Sequence, residues 1–306
     1  MEPERDAAET RLSVVIPHLN QAGMLARCLD SLAAGTWAPD EVIVVDNGST
    51  ALPTAICAAH PGVRLLHEAT AGPGPARNAG VAAARGEILA FIDADCFADP
   101  GWVAAIHAAF ADPAAQILGG DVRIAYDDPG HLTLLEAYES IYAYRMDIYI
   151  RRDGFTGTGN LAVRRGVIKA VGPFAGLGVA EDVDWGRRAT GAGFDLRYVP
   201  AMRVYHPARR SFAELTRKWD RHLGHFFTDA TARRFGRLRW GLRTAVMAAS
   251  PLGEIPKILV SDRVQGPRAR LLAFLGVARI RLYRARVMAW LLAGGDPDRL
   301  TGVWNR

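Results

Sequence analysis

Cysteine is scarce in this sequence, and its positions exclude two kinds of stabilising site. The three cysteines, Cys28, Cys57 and Cys96, are odd in number and far apart, and no two of them form a Cys-x-x-Cys pair. Such spacing indicates neither a disulfide framework nor a structural zinc site. A reducing compartment is therefore the expected environment of the chain.

Targeting signals and long apolar runs are also missing. Residues 1–10 are acidic and lack the basic start and apolar stretch of a secretory signal. We expect this segment to be flexible. No uninterrupted apolar run reaches the roughly 18 residues that a membrane-spanning helix needs. These absences predict a cytosolic protein without a transmembrane anchor.

Acidic residues are rare in the last third of the chain, where the basic residues are concentrated. The formal net charge is +5, yet Arg203 to Trp290 contains 19 Lys and Arg against five Asp and Glu. We predict a basic helical region over 231–306, which would attract anionic lipid or nucleic acid. No nucleic-acid-binding signature accompanies it, so the sequence favours an anionic membrane surface. For Arg270 to Leu292, a packed helical hairpin with basic edges is the alternative.

The first hundred residues alternate between short apolar runs and helical patterns. This alternation predicts an α/β fold with a Rossmann-like, doubly wound and mostly parallel sheet. Further along, we predict one helix over 132–150, two strands over 195–199 and 202–205, and Asn20 as the cap of a helix over 21–34. The four predicted strands of the first part are Leu12 to Ile16, Glu41 to Val45, Val63 to His67 and Ile88 to Ile92.

Carboxylates follow two of these strands. Asp93 and Asp95 come directly after a buried run of five apolar residues, and Asp46 ends a neighbouring strand. Because ligands of parallel sheets bind at the carboxyl ends of the strands, these positions suit a metal and a nucleotide. An Asx turn is the equally weighted alternative for Asp46. The glycine-rich loop before Arg77 and Asn78 is suited to an anion, although it lacks both the Walker A and the Gly-x-Gly-x-x-Gly pattern.

Two later segments carry further candidate residues. Glu181, Asp182 and Asp184 stand at a predicted helix start, where capping competes with a role as general base. His206 follows a short strand and is a candidate metal ligand, although a lone histidine is more often structural. The glycine-punctuated stretch before Asn160 would let a sugar or phosphate lie against backbone.

Together these residues resemble the family 2 glycosyltransferases, which are inverting enzymes with the GT-A fold. The resemblance spans roughly residues 11–225, so we predict a GT-A domain over 11–230 with a helical C-terminal extension. Each motif alone is weak, but their order and spacing are those of the family. The motifs are Val14 to Pro17 with Asn20, Val44 to Ser49, Gly72 to Asn78, Gly86 to Asp95, Gly159 to Arg165, Glu181 to Asp184, and Tyr205 with His206.

The resemblance also implies roles for individual residues. Mn²⁺ or Mg²⁺ would be held by Asp93, Asp95 and His206. Asp182 would be the catalytic base, and Glu181 would position it or the acceptor. The donor, expected to be a UDP-sugar, would pass its sugar to a glycan, lipid-linked or small-molecule acceptor. The donor-binding residues would be Pro17, Asp46, Arg77, Asn78, Asp93 and Asn160.

Two other functions compete with this interpretation. A nucleotidyltransferase also combines a doubly wound sheet with metal carboxylates, but its glycine loop would follow the first strand, where Pro17 stands. A non-catalytic scaffold with the same fold would be expected to have lost the metal or base carboxylates, and all of them are present. Neither the sugar nor the acceptor follows from the motifs.

Overall fold

The computed structural model describes residues 11–231 and 235–301. The segment 1–10, predicted to be flexible, lies outside the described residues. Among the described residues, no helix is long and apolar enough to cross a membrane. The described part of the chain contains eight strands: β1 Leu12–His18, β2 Glu41–Asp46, β3 Val63–His67, β4 Ile88–Ile92, β5 Phe97–Ala98, β6 Ile117–Ala125, β7 Asn160–Arg164 and β8 Leu196–Pro207.

Helices surround and follow these strands. A π-helical turn lies at Tyr149–Asp153 and a 3₁₀ turn at Ser250–Glu254. The α-helices are α1 Ala22–Ala33, α2 Thr54–Ala58, α3 Pro73–Ala83, α4 Trp102–Phe110, α5 Leu134–Tyr142, α6 Met146–Ile148, α7 Arg165–Val171, α8 Glu181–Gly191, α9 Phe212–Thr231, α10 Gly236–Ala249, α11 Ile255–Val260, α12 Gly266–Leu292 and α13 Asp298–Thr301.

The strands form one sheet in the order β3-β2-β1-β4-β7-β6-β8-β5. Strands β1 to β4 pair in parallel, as predicted, whereas β7 runs antiparallel to both β4 and β6. Helices follow the parallel strands because a parallel connection must cross the sheet. This arrangement confirms the predicted α/β fold with a doubly wound sheet. Helices α9 to α13 confirm the helical C-terminal extension.

Apolar side chains cover both faces of the sheet. Alternate residues of β1 point to opposite faces: Val14 and Ile16 pack in one core with Trp102 of α4, while Val15 packs in the other core with Trp185 of α8. The two-sided burial explains why the strands read as continuous apolar runs. The three cysteines are free and buried, in agreement with the absence of a disulfide framework.

The described residues divide into two compact units. The first contains residues 11–123 and 144–207 and therefore nearly all of the sheet; the second contains 124–143, 208–231 and 235–301. In the second unit, α5, α9 and α12 pack around a core that includes Tyr138, Leu215 and Ile280. The compact units divide after residue 207, and the predicted domain boundary at residue 230 stays a prediction.

Three local predictions were wrong. Asn20 does not cap α1, since its backbone is left-handed and its side-chain oxygen accepts a hydrogen bond from the amide of Thr50. The helix predicted over 132–150 ends at Tyr142, because Ala143 is extended and Tyr144 has a φ of 50°. The two strands predicted over 195–205 are a single strand, β8, which continues through the exposed Pro200.

The helical hairpin considered for Arg270 to Leu292 was also wrong, because α12 is one continuous helix of 27 residues. Its buried residues include Ala273, Val277 and Ile280. These side chains make α12 the central helix of the second unit.

Close packing of α3 on β1 yields a first test. A Cβ added at Gly80 would lie 2.3 Å from Cγ1 of Val15 in the buried sheet, so overpacking should make Gly80→Ala about 1–3 kcal/mol less stable. A Cβ at Gly23 of α1 would meet nothing within 4 Å, so Gly23→Ala should be neutral or slightly stabilising. Urea unfolding of both variants measures the difference, and equal midpoints would contradict the packing argument.

Candidate active site

The candidate residues gather at the carboxyl ends of the parallel strands. Asp46 is the last residue of β2, Asp93 follows β4 directly, and Asp95 lies two residues further on. Strands β2 and β4 flank β1 on either side, so all three carboxylates lie at one edge of the sheet, although Asp46 itself is fully buried there. This is the edge at which open α/β sheets bind ligands.

Arg77 joins two of the predicted acidic positions. Its Nη2 donates to Oδ1 of Asp93 at 2.6 Å, and its Nη1 donates to Oε1 of Glu181 at 2.8 Å. Only 3% of the Arg77 side chain is exposed, and its buried Nε has no hydrogen-bond partner among the described residues. A buried guanidinium requires such anionic partners. Arg77 therefore ties the end of β4 to the start of α8.

Asp182 lies beside this ion-pair network. Burial raises the pKa of the Asp182 carboxyl, and the negative charge of Glu181 adds to the shift. A hydrogen bond from the amide of Val183 and the positive charge of Arg77 act in the opposite direction but do not cancel it. The pKa of Asp182 is therefore raised above that of an ordinary aspartate. A carboxylate in this state is a stronger proton acceptor than one in water.

His206 and Asp95 face each other across a short gap. Nε2 of His206 lies 3.7 Å from Oδ2 of Asp95, while Nδ1 of His206 lies 2.7 Å from the carbonyl oxygen of Pro207. Because a carbonyl oxygen only accepts, Nδ1 must carry the proton of a neutral ring. Nε2 then keeps a lone pair on the side of Asp95. This tautomer is the one a metal-binding histidine needs.

Two side chains that the sequence analysis did not single out support this pair. Gln21 donates from Nε2 to Oδ2 of Asp95 at 3.3 Å. The Tyr144 ring lies against that of His206, with ring centroids 4.6 Å apart, and its hydroxyl oxygen is 3.1 Å from Nε2. No signal in the sequence indicates either contact, because the partners are 62 or more positions apart.

The pair fits a divalent cation. Asp95, Cys96 and His206 place one ligand atom each within 4.8 Å of one another. Burial raises the pKa of the Cys96 thiol well above its ordinary value, and the charges of Asp93 and Asp95 raise it further. Sulfur ligands suit softer metals than Mn²⁺ or Mg²⁺, so the donor set for these cations is one carboxylate and one imidazole. This pair of a carboxylate and an imidazole suits Mn²⁺, whereas Mg²⁺ prefers the carboxylate of the pair.

Asp93 differs from Asp95 in its surroundings. One of its oxygens accepts from Arg77, and a Cβ added at Gly159 would lie 2.5 Å from the other. The glycine before Asn160 thus makes room for the Asp93 carboxylate. Asp93 is not part of the three-residue ligand cluster, and its predicted contact with the metal stays a prediction.

Asp46 serves the turn after β2. Oδ1 of Asp46 lies 3.0 Å from Nδ1 of His18, and its Oδ2 accepts from the amides of Gly48 and Ser49. Burial would raise the pKa of Asp46, but the hydrogen bonds from Ser49 and His18 outweigh it and lower the pKa. The Asx-turn interpretation matches this geometry. The predicted contact of Asp46 with a nucleotide base stays a prediction.

His18 was missed by the sequence analysis, although a signal for it existed. It pairs with Asp46 in the parallel register of β1 and β2, and it stands directly after the half-buried Pro17. Aligning the polar residues that follow the two predicted strands, His18 and Asp46, would have placed the two side chains together.

Two predicted donor-binding amides bond to the protein itself. Asn160 has no exposed surface; its Oδ1 accepts from Nε1 of Trp102, and its Nδ2 donates to the carbonyls of Asp121 and Met202. Asn78 forms two hydrogen bonds with the backbone of Phe174. These two amides therefore hold the framework around the site. Their geometry does not favour a direct contact with the donor.

Comparison with known proteins identifies the family of the chain. The model of the family described as "Glycosyl transferase family 2" matches residues 13–172. Glycosyltransferase AglE of Haloferax volcanii is 34% identical over 215 residues, which cover 68% of this chain and 70% of that protein. The pre-mycofactocin glycosyltransferase of Mycobacterium tuberculosis is 30% identical over 68% of this chain, but the match spans only 45% of its own length.

Solved structures share the fold at lower identity. The mannosyltransferase PcManGT of Pyrobaculum calidifontis, in complex with GDP-Man and Mn²⁺, aligns with a TM-score of 0.55 at 18% identity, covering 98% of this chain and 89% of that one. Glucosyl-3-phosphoglycerate synthase of Mycobacterium tuberculosis, with Mn²⁺ and UDP, aligns with a TM-score of 0.51 at 20% identity, covering 72% and 80%. On the family match and the identity to AglE, the chain belongs to glycosyl transferase family 2.

Proposed function

We propose that this glycosyltransferase moves a sugar from a nucleoside-diphosphate sugar to an acceptor hydroxyl in one metal-assisted displacement that inverts the anomeric carbon. The observation that carries the proposal is the bridge from Asp93 through Arg77 to Glu181, which brings a donor-side carboxylate next to Asp182. Two structural neighbours support this donor class: PcManGT binds GDP-Man with Mn²⁺, and glucosyl-3-phosphoglycerate synthase binds UDP with Mn²⁺.

Asp95 and His206 are the residues that would hold the cation. The cation would supply a Lewis acid that neutralises charge on the departing diphosphate. Gln21 and Tyr144 would keep the two ligands in place through the contacts described above. Loss of such a supporting contact typically lowers metal affinity by roughly 10–100-fold.

Asp182 is the proposed catalytic base. An acceptor hydroxyl is a weak nucleophile until a carboxylate takes its proton, and the raised pKa of Asp182 suits that task. Glu181 would position Asp182 through its ion pair with Arg77. A single base opposite the leaving group implies one in-line displacement, and hence inversion.

The partners of the reaction follow from the same proposal. A UDP-sugar is the expected donor, with Pro17, Asp46 and Arg77 on its side of the site. A glycan or lipid-linked hydroxyl is the expected acceptor, reached at the cytoplasmic face of a membrane. Nucleic acid is not an expected partner. The presence of every predicted carboxylate supports catalysis over a scaffold role.

Donor hydrolysis tests the metal and identifies the donor. We expect slow release of nucleoside diphosphate from one of a panel of UDP-, GDP- and dTDP-sugars, requiring Mn²⁺ or Mg²⁺ and stopping with chelator. Asp95→Ala should lower the rate at least tenfold, whereas Asp128→Ala, which removes an exposed carboxylate of the second unit, should not. If no donor reacted or raised the melting temperature in any metal, the proposal would fail.

The proposed base makes a separate prediction. Asp182→Asn should lower turnover by roughly 10²–10⁴-fold, because the proton acceptor is lost, while donor affinity stays within about twofold. Asp184→Asn is the matched control, since that carboxylate pairs with Arg188 on the same helix. Calorimetric donor titration together with diphosphate release distinguishes binding from chemistry. Undiminished turnover in Asp182→Asn would remove Asp182 from this role.

The raised pKa of Asp182 also predicts a pH dependence. The base works only when ionised, so activity should fall on acidification with a midpoint above the ordinary aspartate value of 3.8. Glu181→Gln removes a neighbouring negative charge and should move this limb to lower pH, whereas Asp184→Asn should leave it in place. The dependence of kcat on pH measures this midpoint. A midpoint that Glu181→Gln left unchanged or moved to higher pH would be inconsistent with the charge argument.

A further inference from the structure

Helix α10 buries one face in the second unit and exposes the other. On the buried face, the Trp240 side chain is only 2% exposed, and its Nε1 donates to the carbonyl of Met288 at 3.0 Å. On the exposed face, Leu238, Leu242 and Val246 are 66%, 62% and 67% exposed. Their spacing of four residues places them in one row along the helix. Exposed leucines scattered singly are common, whereas these three side chains form one apolar strip on the surface of the helix.

The row is bordered by positive charge on both sides. At about 100° per residue, Arg239 and Arg243 fall on one flank of the row and Arg237 on the other. All three side chains are exposed, and Arg237 also donates to the carbonyl of Leu292. The sequence contains no Asp or Glu from residue 230 to residue 253. An apolar row between arginines on an acid-free segment complements an anionic, amphiphilic surface.

We propose that α10 lies in the headgroup region of an anionic bilayer, with Leu238, Leu242 and Val246 directed into the lipid. Charge complementarity favours an anionic bilayer as the partner of this face, because the arginines attract anionic headgroups while the leucine row enters the apolar boundary. A second copy fits less well, because a twofold contact between two α10 faces would oppose arginines with no acidic partner on either helix. The absence of a spanning helix among the described residues is compatible with contact at the surface.

Helix α12 also exposes leucines in one row, Leu271, Leu275 and Leu282. Several of its arginines, however, are engaged inside the second unit. Arg281 donates to Glu254, Arg279 lies over the Phe212 ring, and Arg284 lies over the Trp219 ring. With these arginines engaged inside the unit, we place the lipid contact on α10. The proposal does not rest on the transfer chemistry, since α10 contains none of the proposed catalytic or metal-binding residues.

Vesicle flotation of the full chain tests the surface. The wild type should float with vesicles of phosphatidylcholine and phosphatidylglycerol at low salt, and much less with phosphatidylcholine alone or at high salt. Two double variants should each lower the partition coefficient roughly tenfold or more. One combines Leu242→Glu with Val246→Glu, and the other combines Arg239→Glu with Arg243→Glu. Leu52→Glu and Arg85→Glu change exposed residues of the first unit and should float like the wild type.

Two further measurements separate the outcomes. Thermal unfolding and diphosphate release should be unchanged in the α10 variants, which shows that a lost vesicle contact is not a folding defect. Absence of flotation by the wild type on anionic vesicles would overturn the proposal, and so would equal flotation by the α10 variants. Light scattering tests for self-association. If the wild type were a dimer that did not float, and if Leu242→Glu with Val246→Glu made it a monomer, the face would be assigned to self-association instead.

Discussion

The buried guanidinium of Arg77 is the interaction on which the site depends. A charge with only 3% of its side chain exposed is costly unless opposite charges accompany it, and Asp93 and Glu181 supply them from positions 16 and 104 residues away. The end of β4 and the start of α8 are thereby held together. The proposed base, Asp182, owes its surroundings to this bridge, because Glu181 next to it is one of the two anchors.

A second set of buried polar contacts keeps the framework rigid. Asn160 is fully buried at the start of β7, and its amide connects the carbonyls of Asp121 and Met202 with the indole of Trp102. Asn78 ties α3 to the backbone of Phe174, whose ring packs between Phe91 and Trp185. A residue inside a family motif can therefore act by holding a loop in place. The fully buried amide of Asn160, whose two N–H groups and oxygen are all hydrogen-bonded, favours a single arrangement of the chain around it.

The candidate metal pair shows how a backbone atom sets side-chain chemistry. The carbonyl of Pro207 requires the proton on Nδ1 of His206, which leaves Nε2 for a cation beside Asp95. The thiol of Cys96 lies close to both residues, but sulfur ligands suit softer metals than Mn²⁺ or Mg²⁺. Proximity by itself therefore does not define the ligand set. The ligand preference of the cation decides which of the neighbouring groups bind it.

The sequence by itself determined the doubly wound sheet and the family, because strand periodicity and the order of motifs are local properties. It also indicated which carboxylates end the strands, since a buried run that stops at Asp93 or Asp46 can be read directly. Only the tertiary structure decided which of these groups meet. The Arg77 bridge, the Tyr144 and Gln21 contacts, and the inward-facing amide of Asn160 join residues that are distant in sequence. No local pattern encodes such pairings, because they arise from the packing of whole elements against one another.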